Sequence, residues 1–477
     1  MDIQQRYNST LQLLKKFNQA HLLNFFNQLD DTGKIKLLNQ IDEIEFDNLN
    51  NKIQKYAVNA SPFELPKNFS AAPVYPALPK TAEQKEKYAK AIALGQKIIS
   101  SGKVAAFVVA GGQGTRLGFD GPKGDFAISP IKNKTLFRLF AEQIAAAGTK
   151  YKFEPAWYIM TSPLNHNQTL EIFKRDNFFG LKKTNIFFFQ QGTEVNYSAD
   201  GKILLAEKDE LAASPDGHGG SLKAIYKNGA AADMKTRGIE YISYFQVDNP
   251  LINIFDPLFV GLHAIDNSQM SSKALTKAHP LEKVGNFCMI DGKVTVIEYS
   301  DLSDEQAQMK NADGSLLFSF GSIAIHIINR TFIEQLNAKG FALPYHRAVK
   351  KISHVDLNTG EKISPGKPNG IKLETFVFDA LSLAEKSIIL ETLRSEEFAP
   401  VKNADGIDSP AVTKKMMTTR AANWLKAAGI KIPTKPDGSP DCTIEMAASF
   451  ALHREDIILK AAQASRINSG DMLYLEN

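Results

Sequence analysis

The residues whose types and spacing best fit a chemical role form a glycine-rich segment after residue 109. The segment comprises Ala110, Gly111, Gly112, Gln113, Gly114, Thr115, Arg116, Leu117 and Gly118, and Gly121-Pro122-Lys123-Gly124 follows closely. Glycines allow backbone N–H groups to approach a phosphate, and arginine and lysine add positive charge. The segment follows a predicted strand at 104–110, where open parallel sheets bind ligands. The sequence therefore predicts a polyphosphate-binding loop.

Two better-known phosphate-binding loops do not fit this spacing. Gly114 is followed by Gly118 four residues on, whereas a dinucleotide fingerprint has three, and no Gly-Lys-Ser/Thr is present for a Walker loop. A dinucleotide-dependent oxidoreductase is therefore disfavoured. The glycines alone would also fit a turn that binds nothing, but Arg116 and Lys123 weigh against that reading.

A single carboxylate, Asp248, follows another predicted strand at 242–247. At that end of a sheet it could hold Mg²⁺ against phosphate oxygens, because this ion prefers hard oxygen ligands and retains water. A helix cap or a loop-stabilising aspartate before Asn249-Pro250 is the alternative.

Short apolar runs alternate with helical segments through the middle of the chain. The predicted strands lie at 104–110, 157–160, 186–189 and 242–247, and the predicted helices include 136–147 and 221–235. This alternation predicts an α/β fold with a central, mostly parallel sheet flanked by helices. Beyond Pro257 the pattern favours antiparallel strands, with a hairpin at Asp291-Gly292, as expected of an insertion on the sheet.

Three domains are expected from these patterns and from the length of 477 residues. Residues 1–100 form a helical N-terminal domain with a proline-rich linker, followed by a helix that begins at a Thr81/Gln84 capping box. Residues 101–395 form the central domain, and residues 396–477 a small C-terminal domain.

Composition excludes several classes of protein. Hydrophobic residues make up 43% and charged residues 23%, which is ordinary for a globular chain. The net charge of +4 gives no support to binding of nucleic acid or a membrane surface. Only Cys288 and Cys442 are present, too few for a disulfide framework or a thiolate metal site. Without a signal peptide or spanning segment, we expect a cytoplasmic protein that is a monomer or weak homo-oligomer.

The glycine-rich segment with Pro122-Lys123-Gly124 resembles the signature of the eukaryotic-type UDP-sugar pyrophosphorylases. The resemblance continues in order through the segments 189–192, 215–220, 247–249, 296–300, 368–372, 376–379 and 396–403. It is strongest to the branch that makes UDP-N-acetylglucosamine. It implies a Rossmann-like sheet of nucleotidyltransferase type, with 101–395 as the catalytic domain carrying a sugar-binding insertion.

The resemblance also implies a reaction, in which a hexose 1-phosphate attacks the α-phosphorus of UTP and pyrophosphate leaves. Arg116 would lie near the pyrophosphate, Lys123 near the α-phosphate, and Lys402 near the phosphates, while Asp248 would hold Mg²⁺. The nucleotide would be bound by Ala110, Gly111, Gly112, Gly114, Thr115, Gln191 and Gly217. Judged by position alone, Lys402 could be a surface lysine and Gln191 an unexceptional strand-end residue.

For the sugar, the resemblance points to His218, Gly285, Glu298, Tyr299, Ser322, Phe376 and Phe378. Phe376 and Phe378 also alternate as core residues of a strand would. His218 and Ser322 stand where the N-acetylglucosamine branch has asparagine, so N-acetylglucosamine 1-phosphate and glucose 1-phosphate both remain candidates. A non-catalytic UDP-sugar-binding module is the alternative function, but it would not require Arg116, Lys123 and Asp248 together.

Overall fold

The chain forms two units, each built from stretches that are separate in sequence. The computed structural model describes residues 2–59, 64–341, 343–457, 460 and 467–477. The first unit combines residues 1–64, 191–221 and 343–377, and the second combines residues 65–190, 222–342 and 378–477. The three-domain division at residues 100 and 395 stays a prediction.

A ten-stranded mixed sheet lies at the centre of the second unit. Its strands are β1 Phe69–Ala71, β2 Val104–Val109, β3 Trp157–Thr161, β4 Ile186–Gln190, β5 Tyr241–Gln246, β6 Met270–Thr276, β7 Gly285–Ile290, β8 Lys293–Ile297, β9 Phe320–Asn329 and β10 Ser387–Glu391. Their order is β1-β7-β9-β5-β2-β3-β4, with β8 paired to β7, β6 paired to β9, and β10 paired to β6.

Four consecutive strands, β5, β2, β3 and β4, are parallel. Every residue of β2 and β3 is buried, as expected for strands covered on both faces. Because the strands are parallel, β2 and β5 end at the same edge, with Val109 paired to Gln246. The antiparallel hairpin of β7 and β8 turns at Asp291 and Gly292, both with positive φ. The predicted fold class is confirmed.

Helices cover this sheet. They include Ala82–Ser100, Leu136–Tyr151, His166–Arg175, Ala230–Thr236, Pro257–Ile265, Asp304–Ala307, Arg330–Asn337, Ala380–Leu383, Arg394–Glu397 and Pro410–Ala427. The predicted capping box is present, with Thr81 and Gln84 bonded reciprocally. The single helix predicted over 221–235 is wrong: Gly220–Lys227 and Ala230–Thr236 are separate, because Gly229 adopts a left-handed φ of 79°. The parallel strands Thr443–Met446 and Met472–Leu475 lie near the C-terminus.

The first unit has its own apolar core. Its helices are Ile3–Lys16, Asp31–Asp42 and Leu49–Lys52, and its strands are Thr193–Val195, Tyr197–Ser198, Leu205–Glu207, Glu210–Leu211, Ala213–Pro215, His346–Lys350, His354–Val355, Lys362–Ile363 and Gly370–Glu374. Leu14 and Leu37 of the helices share one buried cluster with Tyr197 and Ile371 of the strands. The apolar faces of these two N-terminal helices are therefore core.

A search of the described residues finds no helix with both the length and the apolar character that crossing a membrane requires.

The helices Ala82–Ser100 and Pro257–Ile265 approach closely through glycines. A Cβ on Gly95 would lie 1.9 Å from the carbonyl oxygen of Pro257, and one on Gly261 would lie 1.8 Å from that of Ala91. We therefore expect Gly261→Ala to force the helices apart and lower the free energy of unfolding by about 1–3 kcal/mol. Thermal unfolding followed by circular dichroism measures this change.

Gly366→Ala is the control, because a Cβ at Gly366 meets no atom within 4 Å. Equal unfolding midpoints for the two variants would contradict the close approach of the helices.

Candidate active site

The glycine-rich loop lies at the carboxyl end of β2 and folds back on itself. Ala110 continues the strand by donating its N–H to the carbonyl of Met160 at 2.7 Å. The loop is then closed by two backbone hydrogen bonds, from Gly114 to the Gly121 carbonyl at 2.9 Å and from Lys123 to the Gly112 carbonyl at 3.1 Å. This closure brings Lys123 to the same end of the sheet as the glycines.

Asn165, which the sequence analysis missed, anchors the loop from behind. Its side chain is fully buried, and Nδ2 donates to the carbonyls of Ala110 at 3.0 Å and Gly112 at 3.3 Å. In a trans peptide the N–H points opposite to the C=O. The N–H groups of Gly111 and Gln113 are consequently directed away from Asn165, and a Cβ on Gly112 would meet no atom within 4 Å. The loop thus has open space at the Gly112 Cβ position and N–H groups directed away from its anchor, an arrangement compatible with an anion site.

Arg116, Lys402 and Asp248 all lie within electrostatic reach of Lys123 in the second unit. Lys123 Nζ lies 4.0 Å from Asp248 Oδ2, and the two side chains are 11% and 18% exposed. Burial lowers the pKa of Lys123; Asp248 opposes that shift, while the charges of Arg116 and Lys402 add to it. Arg116 and Asp248 thus both act on Lys123, while the roles of these three residues toward a triphosphate stay a prediction.

Lys402 lies in a short closed loop. Its N–H donates to the Asp408 carbonyl at 2.7 Å, and its Nζ lies 3.7 Å from Asp408 Oδ2. Asp408 also has a left-handed φ of 59° and acts electrostatically on Lys123. The site thus combines three cations with two carboxylates, which suits a polyanionic ligand.

Three of the predicted sugar residues meet on β7, β9 and the end of β8. Gly285 pairs with Ser322, and a Cβ on Gly285 would lie 2.6 Å from Val296 Cγ1, 3.7 Å from Glu298 Oε1 and 3.8 Å from Ser322 Cβ. Ser322 Oγ is buried and has no hydrogen-bond partner among the described residues. A hydroxyl and a carboxylate thus lie close to a glycine at which Val296 leaves no room for a side chain.

The remaining predicted site residues of the second unit lie in short turns. Tyr299 begins a 3₁₀ turn after Glu298 and is 45% exposed. Phe378 lies in the turn Val377–Asp379 and is buried. Thr115 and Arg116 form the turn Thr115–Leu117, which ends at Gly118.

Gln191 and Gly217 are brought together in the first unit through Asp216. Gln191 is buried, and its Nε2 donates to Asp216 Oδ1 at 3.4 Å. Gly217 has a φ of 83°, and a Cβ there would lie 2.3 Å from the Thr375 carbonyl oxygen. Thr375 in turn donates its N–H and its hydroxyl to the Asp216 carbonyl. Only glycine fits at position 217.

His218 stacks on Phe376 in the same unit. The ring centroids are 5.1 Å apart and nearly parallel, and His346 stacks on Phe376 at 4.2 Å. Burial, with a smaller contribution from the charge of His346, lowers the pKa of His218 to about 4. Val377 N–H lies 3.1 Å from His218 Nδ1, which must accept, so the proton of the neutral ring sits on Nε2.

A family model described as UTP–glucose-1-phosphate uridylyltransferase matches residues 47–453. The chain belongs to this family. Its predicted resemblance to the eukaryotic-type UDP-sugar pyrophosphorylases is thereby confirmed, as is the predicted enzyme class, a uridylyltransferase.

Relatives of the family cover most of the chain. A UDP-N-acetylhexosamine pyrophosphorylase-like protein 1 of Homo sapiens is 36% identical over 435 residues, which is 88% of this chain and 85% of that protein. A probable UDP-N-acetylglucosamine pyrophosphorylase of Dictyostelium discoideum is 35% identical over 457 residues, 92% of each chain. The crystal structure of the Trypanosoma brucei UDP-N-acetylglucosamine pyrophosphorylase with an inhibitor has the same fold, with a TM-score of 0.80 and 23% identity over 99% of this chain and 98% of that one.

The anchoring role of Asn165 in this uridylyltransferase is testable. Asn165→Ala removes both hydrogen bonds to the loop carbonyls, and at roughly 1 kcal/mol each we expect UTP affinity to fall at least tenfold. Isothermal titration with UTP measures the change.

Asn337→Ala is the matched control, since Asn337 Nδ2 also donates to two carbonyls, those of Leu222 and Ile333. The anchoring role would be refuted by equal UTP affinities in the two variants.

Proposed function

We propose that this protein transfers UMP from UTP to N-acetylglucosamine 1-phosphate, releasing pyrophosphate and forming the UDP-sugar. An oxygen of the sugar phosphate attacks the α-phosphorus of UTP in line, and the bond from that phosphorus to the bridging oxygen of the leaving pyrophosphate breaks. The observation that carries the proposal is the convergence of Arg116, Lys123 and Lys402 with Asp248 at the carboxyl end of the parallel strands.

Each basic residue has a role in bringing two anions together. Catalysis of phosphoryl transfer depends mainly on positioning and on neutralising charge that develops on the phosphoryl oxygens. Lys123 contacts the α-phosphate, Arg116 the departing pyrophosphate, and Lys402 the remaining phosphate oxygens. The N–H groups of Gly111, Gly112 and Thr115 bind the triphosphate. Gly114 keeps the loop closed through its bond to the Gly121 carbonyl, and Ala110 lines the base of the loop.

Asp248 fits a magnesium ion. No group of three or more His, Cys, Asp or Glu side chains in the described ranges could hold a metal alone. One carboxylate plus phosphate oxygens and water is nevertheless a common ligand set for Mg²⁺. When bound, the ion would neutralise charge on the phosphates; Asp248 would hold it and Lys123 would stay protonated beside it.

The sugar assignment follows the relatives, whose names specify UDP-N-acetylglucosamine or UDP-N-acetylhexosamine. Gly285, Glu298 and Ser322 lie close together and are assigned to the sugar, because Glu298 can accept hydroxyl hydrogen bonds and the buried Ser322 Oγ has no partner among the described residues. Tyr299 is half exposed and can offer apolar surface to the ring or acetyl carbons. The sugar contacts expected of His218, Phe376 and Phe378, and the uracil contacts expected of Gln191 and Gly217, stay predictions. Glucose 1-phosphate is the alternative acceptor: His218 is more like the UDP-glucose branch, and Ser322 departs from the N-acetylglucosamine branch.

A substrate panel tests the activity. Purified protein with UTP, Mg²⁺ and either sugar phosphate should release pyrophosphate, with the larger kcat/KM for N-acetylglucosamine 1-phosphate; coupled pyrophosphate detection measures both. A larger value for glucose 1-phosphate would reverse the sugar assignment. Release as fast from Lys123→Ala as from the wild type, or no release with any sugar, would contradict the proposed activity.

The pKa of Lys123 predicts a pH dependence. Its cationic form is present below the pKa and is lost as pH rises through it, and burial places that pKa below the ordinary 10.5. We expect kcat/KM to decline on the alkaline side, and Lys123→Arg to shift the decline to higher pH because arginine stays charged. The exposed Lys90→Arg serves as control. Superimposable profiles for Lys123→Arg and wild type would remove Lys123 from this role.

A further inference from the structure

Asn249, the residue after Asp248, joins two segments of the second unit. Its side chain is buried, and Nδ2 donates to the Glu397 carbonyl at 2.6 Å. Its Oδ1 accepts from Ala399 N–H at 3.1 Å and from Leu251 N–H at 3.3 Å. Both atoms of the amide therefore bond to the segment 397–399, and only the Leu251 bond is internal to the loop.

A backbone hydrogen bond extends this connection to the charged residues themselves. Val401 N–H donates to the Asp248 carbonyl at 2.9 Å. Asp248 directly precedes Asn249, and Lys402 directly follows Val401. The connection thus links the backbone of the carboxylate to that of the lysine.

The segment 397–399, to which Asn249 bonds, is also held by other residues through Glu397. Glu397 accepts from Lys273 Nζ at 2.5 Å, from Thr392 Oγ1 at 2.8 Å and from Asn253 N–H at 3.1 Å. Lys273 is 1% exposed and also pairs with Asp256. Asn249 therefore bonds to a rigid support, which a surface loop would not provide.

This arrangement goes beyond what a local turn needs. An asparagine that only stabilised its loop would make the Leu251 bond and leave the rest to water. The two bonds to residues 397 and 399 instead fix the distance between two groups that must act on the same phosphates.

We propose that Asn249 is a positioning residue that couples Asp248 to Lys402. It fixes the position of the metal-binding carboxylate relative to the phosphate-binding lysine. The inference rests on the proposed function. Asn249 touches no substrate; it acts through the backbone of its neighbours.

Two variants test the proposal. Asn249→Ala removes every side-chain bond, whereas Asn249→Ser keeps an oxygen for Leu251 N–H but cannot span to Glu397. Mn²⁺ titration in the presence of UTP, followed by electron paramagnetic resonance, reports the metal site without turnover. For Asn249→Ser we expect a loss of Mn²⁺ affinity and of kcat of roughly 10- to 100-fold, as for other residues that support metal ligands. Raising Mg²⁺ should restore part of the rate.

Asn329→Ala is the matched control, because Asn329 also uses both amide atoms, with His263 and Ser268, but at the other end of β5. It should leave Mn²⁺ affinity unchanged, and Asp248→Asn should weaken it at least as much as Asn249→Ser does, because only the phosphate oxygens and water then remain as ligands. Wild-type Mn²⁺ affinity in Asn249→Ser, equal loss in Asn329→Ala, or wild-type affinity in Asp248→Asn would each overturn the inference. If only Asn249→Ala fails to fold, Asn249→Ser still decides. If the wild type released no pyrophosphate, the proposed function would be contradicted. The Mn²⁺ titration would still report whether Asn249 couples Asp248 to Lys402.

Discussion

The parallel pairing of β2 and β5 is the constraint on which the rest of the site depends. Because both strands run in one direction, the glycine-rich loop after β2 and Asp248 after β5 leave the sheet at one edge. Hydrogen bonds from Val401 and Asn249 then attach the segment carrying Lys402 to the same place. Partly buried like charges repel strongly, so such a group of cations is stable only with fixed carboxylates or a polyanion beside it.

Hydrogen bonds to the backbone offset the unfavourable free energy of placing these cations close together. Lys123 is held where burial disfavours its charge, and Asn165 holds the loop in which it lies. Strand β2 beneath it is apolar and every residue of it is buried, so the loop cannot relax into the strand. Rigidity of the loop and of the segment 397–402 is therefore what allows the charges to remain close.

Much of the fold could be predicted from the sequence because its signals are local. The capping box at Thr81, the turn at Asp291-Gly292 and the apolar runs of β2 to β5 each depend on neighbouring residues. The break at Gly229 was missed, since a glycine within a helical pattern can also be tolerated there. The loop residues Arg116 and Lys123 stood out by spacing. Asn165, Asn249 and Asp408 did not, because their distant partners lie 53 to 150 residues away or are set by loop closure.

The stack of His218 on Phe376 has a consequence for selectivity. With its Nδ1 occupied by the Val377 amide and its pKa near 4, the imidazole stays uncharged from mildly acidic to alkaline conditions. Over that range its one ring hydrogen is on Nε2 and it carries no positive charge. A ligand atom that bonds to Nε2 must be an acceptor, such as a carbonyl or ether oxygen. Selection between ligands at this histidine therefore depends on their polarity and shape, and it does not change with pH above the pKa of the ring.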